Sequence, residues 1–303
     1  MARNTKLLTS VGKFIELVSR QASEWRKHWE KVRSEDNTTA IAWLPWFRGE
    51  PSVKVEFPLR PALYRRGISE GDDSQRLDIL LECEGELRVE FKRCVGQLMT
   101  EGRPPRSKWE LYFLMQHYDV PTRLLDWTDG ALMALHFAIS RRGGDDDARG
   151  KENPAVYMLD PWSLNAEAFK HCELVSESAQ AVGVALPDWR AAKPYLKSEF
   201  GSDKLGLWCP LAIDPSHFSR RIAAQRSHFT IFGRDPDGLM KAAINNGVRL
   251  RKFEFDGTEI EALKRTLRVC GISESVAYPD LGGLGRELKE MLTGYLPERL
   301  SKS

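Results

Sequence analysis

Gln116-His117-Tyr118-Asp119-Val120-Pro121-Thr122-Arg123-Leu124-Leu125-Asp126-Trp127-Thr128 sets a histidine, an arginine, an aspartate and a tryptophan within one short stretch. Directly after it, Ala131 to Ile139 is almost wholly apolar. A run apolar on nearly every face reads as a central, buried helix, here drawn from Ala131 to Arg142 with Thr128 or Asp129 as its N-cap. Core segments rarely hold so many hydrogen-bonding side chains beside their most hydrophobic stretch, because each must find a partner once buried. The stretch is therefore either a structural network or the floor of a site.

Working outward, Lys108 to Tyr118 reads as a helix that stops before Pro121, since the residue before a proline is biased out of the helical region. Glu82 to Met99 reads as helical with an interruption at Gly85. Residues 9 to 33 place Val11, Phe14, Ile15, Val18, Ala22, Trp25 and Trp29 at helical spacing, with charged residues mostly between them. Ala40 to Phe47 reads as a strand arriving at Arg48-Gly49, and Val53 to Arg66, with Pro58 and Pro61, as an irregular loop. The run Arg141 to Asp147 reads as an exposed loop. Further strands are expected at 155–160, 229–232 and 248–255, and helices at 260–270 and 281–292; residues 163–205 alternate short helical patterns with loops. The expected fold is α+β: a single mixed α/β domain with a central sheet over 37–295, carrying an N-terminal helical extension over 1–36.

Composition narrows the class. With 303 residues, 42% hydrophobic content and nine Trp, the chain can bury a sizeable core, while 29% charged residues suit a soluble surface. No apolar run approaches the roughly 20 residues that span a bilayer, so no membrane partner is expected. Five Cys without Cys-x-x-Cys spacing argue against a disulfide framework or a metal site, and for reduced thiols in the cytoplasm. A net charge of +2 selects no partner by its overall field. Gly-x-Gly-x-x-Gly, Gly-x-x-x-x-Gly-Lys, Gly-x-Ser-x-Gly and His-Glu-x-x-His are all missing, which disfavours Rossmann oxidoreductases, P-loop NTPases, serine hydrolases and zinc proteases.

Chemistry can sit in three places. Arg48 at a strand end projects a planar five-donor fork, and Gly49 would let a ligand approach the backbone; the alternative is an Arg48 paired with a buried carboxylate such as Glu50 or Asp126. Gln116 and His117, with Tyr118, end a helix just before a Pro turn and would face a cleft. His117 either acts as an acid or base near neutrality or donates to a backbone carbonyl. Asp126 is expected to be buried and paired with Arg48 or Arg123, and Trp127 to anchor the core. Finally, Pro215 to Arg234 contains no acidic side chain yet carries Arg220, Arg221, Arg226, Arg234, His217 and His228. This basic stretch suits a phosphate-rich ligand, a nucleic acid or a protein acceptor, or is a solvated face.

Four motifs carry a family resemblance: Trp46-Phe47-Arg48-Gly49-Glu50, the Gln116–Thr128 stretch, Arg221-Ile222-Ala223-Ala224-Gln225 with Phe229, and Tyr278-Pro279-Asp280-Leu281. In their order and chemistry the chain resembles the FRG domain, a bacterial family named for its Phe-Arg-Gly motif, across about residues 40 to 290. Phe47-Arg48-Gly49 also resembles the first motif of arginine-type ADP-ribosyltransferases, where a strand-borne Arg holds the NAD diphosphate. The resemblance implies a nucleotide-binding effector of bacterial defence or toxin systems with NAD as ligand and no metal. Arg48, Gly49, Gln116, Tyr118, Arg123 and Arg221 would bind the ligand, and His117 and Gln225 would serve catalysis. Such transferases also use a late Glu within Glu-x-Glu or Gln-x-Glu. Gln225-Arg226-Ser227-His228 departs from that pattern, leaving Glu254 as the candidate. The rival readings are a non-catalytic nucleic-acid or protein-binding module and a nuclease-like effector.

Overall fold

A computed structural model describes residues 7–36, 43–52, 59–65, 74–99, 104–140, 152–171, 209–215, 224–245 and 247–300. Six strands form one sheet: β1 (Trp46–Glu50), β2 (Leu124–Thr128), β3 (Ala155–Leu159), β4 (Leu211–Ile213), β5 (Ser227–Ile231) and β6 (Leu250–Glu254). Their spatial order is β4-β5-β2-β1-β3-β6, and every neighbouring pair is antiparallel. Helices and strands mix within a single α+β architecture, as the sequence predicts.

The segment after the opening stretch forms α4 (Ala131–Ser140), with Met133 to His136, Ala138 and Ile139 buried. Thr128 Oγ1 accepts from the Gly130 N–H at 3.1 Å and turns the chain into it. This helix lies directly on β1, and Gly49 makes the approach possible. A Cβ on Gly49 would stand 2.0 Å from the Ala134 carbonyl oxygen and 2.6 Å from the Ala138 nitrogen, so no larger residue fits. The glycine of Phe-Arg-Gly thus serves helix-on-sheet packing, and it also lines the central cleft.

Ahead of it, α2 (Ser74–Leu98) is longer than expected and runs through Gly85 without a break, and α3 (Lys108–His117) follows. The Ser107 side chain caps α3 by accepting from Glu110 N–H at 3.0 Å, while Glu110 Oε2 accepts from Arg106 N–H, a capping-box arrangement shifted by one residue. Asp119, at φ 57°, ends it in the left-handed region two residues before Pro121. Helix α5 (Pro161–His171) starts with proline at its first position behind Asp160, whose carboxylate caps it. That carboxylate is fully buried, and accepts from the indole N–H groups of Trp29 and Trp43 at 2.8 and 2.9 Å and from Arg249 at 2.7 Å.

The first helix, α1 (Val11–Asp36), lays Phe14 edge-on against Phe253 and Phe255 at 5.4 and 5.1 Å. Its apolar face joins the core under α4 and α7 (Ile260–Val269). The remaining helices are α6 (Gly238–Asn245), α8 (Glu274–Ala277) and α9 (Leu281–Leu300). Strands β2 and β4 and helix α6 were not anticipated, and β1 takes in Arg48-Gly49-Glu50 where the sequence suggested it ends before them. The expected loop at 141–147 and residues 172–208 lie outside the described residues. Among the described residues, no helix is long and apolar enough to cross a membrane.

Candidate functional site

The sheet opens at its centre. Strands β1 and β3 pair over five registers, but β1 and β2 pair only at Phe47↔Thr128. Beyond that register the two strands part, and a cleft of about 400 Å³ lies at the opening. Arg48 and Glu50 line it from β1, Asp126 and Trp127 from β2, Gln116 and His117 from the end of α3, and Phe137 from α4. Gln225 and Tyr278 close it on the far side.

Arg48 spans the opening. Its Nε and Nη2 both lie 2.7 Å from Glu50 Oε1, and its Nη1 donates to the Asp126 backbone carbonyl at 3.0 Å, satisfying an acceptor that a continuous ladder would have used. Glu50 is 2% exposed and also accepts from Arg65 Nη2 at 3.1 Å. One buried carboxylate therefore sits between two guanidinium groups. Burial and then the positive charge of Arg48 hold the pKa of Arg65 below its usual value. An anion placed between these two arginines would relieve their repulsion. Arg60, at the same rim, is committed to Asp237 through a two-pronged contact at 2.6 and 2.5 Å.

Asp126 contradicts its expected role. The expectation was a buried carboxylate, but it is the exposed position in a strand whose other four residues are buried. Leu125 and Trp127 face the opposite layer, while Asp126 shares its face with Leu124, Thr128 and its register partner Phe229, all buried; Asp126 alone is exposed, beside the point where β1 parts from β2. Its Oδ2 accepts from Gln116 Nε2 at 2.5 Å. Trp127 matches its structural reading in place, 2% exposed with its indole N–H on Thr230 Oγ1 at 3.1 Å.

Arg123, expected to bind ligand, is buried instead. Its Nε donates to Glu84 Oε2 at 2.9 Å, its backbone N–H to Glu84 Oε1 at 3.0 Å, and its Nη1 to the Phe232 carbonyl at 3.3 Å. Tyr112 donates its hydroxyl to the same Glu84. Burial opposes the charge on Arg123, but Glu84 more than offsets it and raises the arginine's pKa, while burial raises that of Tyr112. Tyr118 is 60% exposed and lies outside the cleft. Glu254 sits on the edge strand β6, ion-paired with Lys252 at 2.9 Å, and does not line the cleft either. Gln225 does line it, while donating to the Ala277 carbonyl at 3.0 Å and so tethering the Tyr278 segment. Arg221 lies outside the described residues, as do His217 and Arg220.

The described basic side chains of the stretch pair with aspartates outside it. Arg226 meets Asp129 at 2.5 Å, Arg234 meets Asp78 at 2.7 Å, and His228 meets Asp214 at 3.0 Å and Asp129 at 3.8 Å. His228 is also stacked on Trp46, with ring centroids 4.6 Å apart. Burial pulls the His228 pKa down, but the carboxylates of Asp129 and Asp214 outweigh it and hold the pKa above the usual value. Burial pushes Asp129 up, yet His228 and Arg226 bring its pKa below the carboxylate norm. The histidine's contribution to stability is thus complete below about pH 6.5 and is lost as pH rises through its raised pKa. The aspartate's contribution is complete above the usual carboxylate pKa and is lost as pH falls through its lowered value. Melting curves between about pH 6 and 8.5 should show wild-type stability declining more steeply than that of His228→Phe, which keeps the ring stack without the titration. Superimposable profiles would contradict this coupling.

Arg60, Arg65, Phe137 and Tyr278 went unassigned as cleft residues in the sequence. Arg60 and Arg65 lie in the proline-bearing irregular segment, and Phe137 reads simply as part of an apolar helix. Tyr278 belongs to the fourth motif of the resemblance, which was the available signal. Among the described residues, no group of three or more His, Cys, Asp or Glu side chains is placed to hold a metal ion.

Residues 44–147 match the family model of the FRG domain, which takes in Phe47-Arg48-Gly49 and the whole Gln116–Thr128 stretch. No curated protein and no solved structure matches the chain.

Proposed function

From a chain that carries an FRG domain over residues 44–147, we propose that the opening between β1 and β2 binds a dinucleotide, with NAD as the ligand it fits best. The observation that carries this reading is the Arg48–Glu50–Arg65 cluster in a cleft that also presents the aromatic rings of Phe137 and Tyr278. Two guanidinium groups meet at a single carboxylate, and together they offer a diphosphate a set of planar, charged donors. Phe137 and Tyr278 pack edge to face with centroids 6.0 Å apart and offer a wall for one ring of the ligand. A cleft of about 400 Å³ falls in the range of small-molecule sites.

The pairing of Arg226, Arg234 and His228 with aspartates favours this cleft over the basic stretch as the seat of binding. Calorimetric titration of the full chain with NAD, ADP-ribose, nicotinamide mononucleotide and a single-stranded oligonucleotide separates the readings. Saturable binding of NAD and ADP-ribose, with the mononucleotide much weaker, is the expected result, because only the first two carry the diphosphate. Binding of the oligonucleotide without NAD would overturn the proposal in favour of a nucleic-acid module.

A further inference from the structure

The cleft contains a carboxylate whose orientation is fixed by a chain of hydrogen bonds, and we propose that this group, Asp126, is the catalytic residue of the site. The inference rests on the dinucleotide reading above and assigns that site its chemistry.

Three observations support it. First, β2 buries four of its five residues and leaves Asp126 exposed to the cleft, beside a strand partner, Phe229, that is itself 3% exposed. The one solvent-accessible side chain of this strand is thus a carboxylate that a ligand in the cleft can reach. Second, the group is aimed. The Asp126 carboxylate only accepts, so the Gln116 amide turns Nε2 toward it and donates to Oδ2 at 2.5 Å. That leaves Gln116 Oε1 to accept from the Thr122 hydroxyl, whose Oγ1 also accepts from the Leu124 N–H at 3.1 Å. Third, Arg48 donates to the Asp126 backbone carbonyl, tying the anion-binding arginine to the strand that carries the carboxylate.

A carboxylate so held, next to a bound dinucleotide, suits cleavage of an N-glycosidic bond. The bond between the ribose C1′ and the nicotinamide nitrogen breaks, and its electron pair leaves with neutral nicotinamide. Positive charge develops on the ribosyl ring, which the Asp126 carboxylate stabilises. Water forms the new C1′–O bond and gives its proton to Asp126, which later releases it to solvent. NAD and water thus become ADP-ribose, nicotinamide and a proton. Gln116 is a positioning residue in this scheme: it acts through Asp126.

The test pairs two readouts on the full-length chain: NAD affinity by calorimetry and nicotinamide release by chromatography. Asp126→Asn keeps a hydrogen-bond acceptor for Gln116, and should bind NAD within about threefold of wild type while releasing nicotinamide roughly 100-fold more slowly or less, the usual span for loss of a positioned base. Gln116→Met removes the donor, which raises the carboxylate's pKa, so the acid limb of the pH–rate profile should move to higher pH. A purely structural glutamine would leave that limb in place. Undiminished release by Asp126→Asn, or a wild-type protein that binds NAD and releases no nicotinamide, overturns the catalytic assignment alone. Failure of wild type to bind NAD overturns the dinucleotide reading and this inference with it.

Discussion

Glu84→Ala is expected to destabilise the protein by about 3–5 kcal/mol, the usual result of removing one member of a buried ion pair. Both side chains of the Glu84–Arg123 pair are less than 5% exposed, and Tyr112 donates to the same carboxylate. Without Glu84, the Arg123 guanidinium, the Arg123 backbone N–H and the Tyr112 hydroxyl all lose an acceptor at once. Since domains hold only about 5–15 kcal/mol in total, the variant should unfold at much lower urea concentration or fail to accumulate. Equal urea midpoints for variant and wild type would contradict the role given to this network. The same experiment on Asp126→Ala should show a far smaller loss, because Asp126 is exposed.

Arg48→Lys addresses binding. A lysine at 48 can still neutralise Glu50, so the fold should survive. It cannot present the planar fork that spans Glu50, the Asp126 carbonyl and a ligand phosphate together. Losing one charge-assisted hydrogen bond costs about 1.5–3 kcal/mol, equivalent to a rise in Kd of roughly ten- to a hundredfold for NAD. Calorimetry on a variant whose melting curve matches wild type would isolate this term. Unchanged affinity would reduce Arg48 to a brace between the two strands.

Much of the fold was legible where a segment's environment is uniform. Ala131 to Ile139 is buried nearly all round and read as a helix for that reason; β3 and β6 were found from short apolar or alternating runs. Strand β2 was hidden because it serves core and site together: four of its five residues are buried while Asp126 opens onto the cleft. Asp126 within it and Arg123 just ahead of it were consequently misjudged. Arg123 has its partner 39 residues away, on a helix whose Glu84 has no distinguishing local pattern. Asp126 read as a buried anion because nothing local says that β1 and β2 part beside it. The basic stretch misled in the same way, since Asp78 and Asp129 come to it from elsewhere in the fold, and Asp214 stands just ahead of it. The convergence of Arg48, Gln116, His117 and Gln225 on one cleft was expected from the motifs, and the geometry places all four there. Glu254 was chosen by rank along the chain, and the sheet carries it to the far edge.

The central claim is that a dinucleotide diphosphate seats between the two arginines of the opened sheet. A crystal structure of the protein grown with NAD or ADP-ribose tests it most directly. The diphosphate should lie within hydrogen-bonding distance of Arg48 and Arg65, with one ring against Phe137 and Tyr278 and the ribose facing Asp126. Nucleotide bound elsewhere on the surface, or a cleft that stays empty at saturating ligand, would contradict the account.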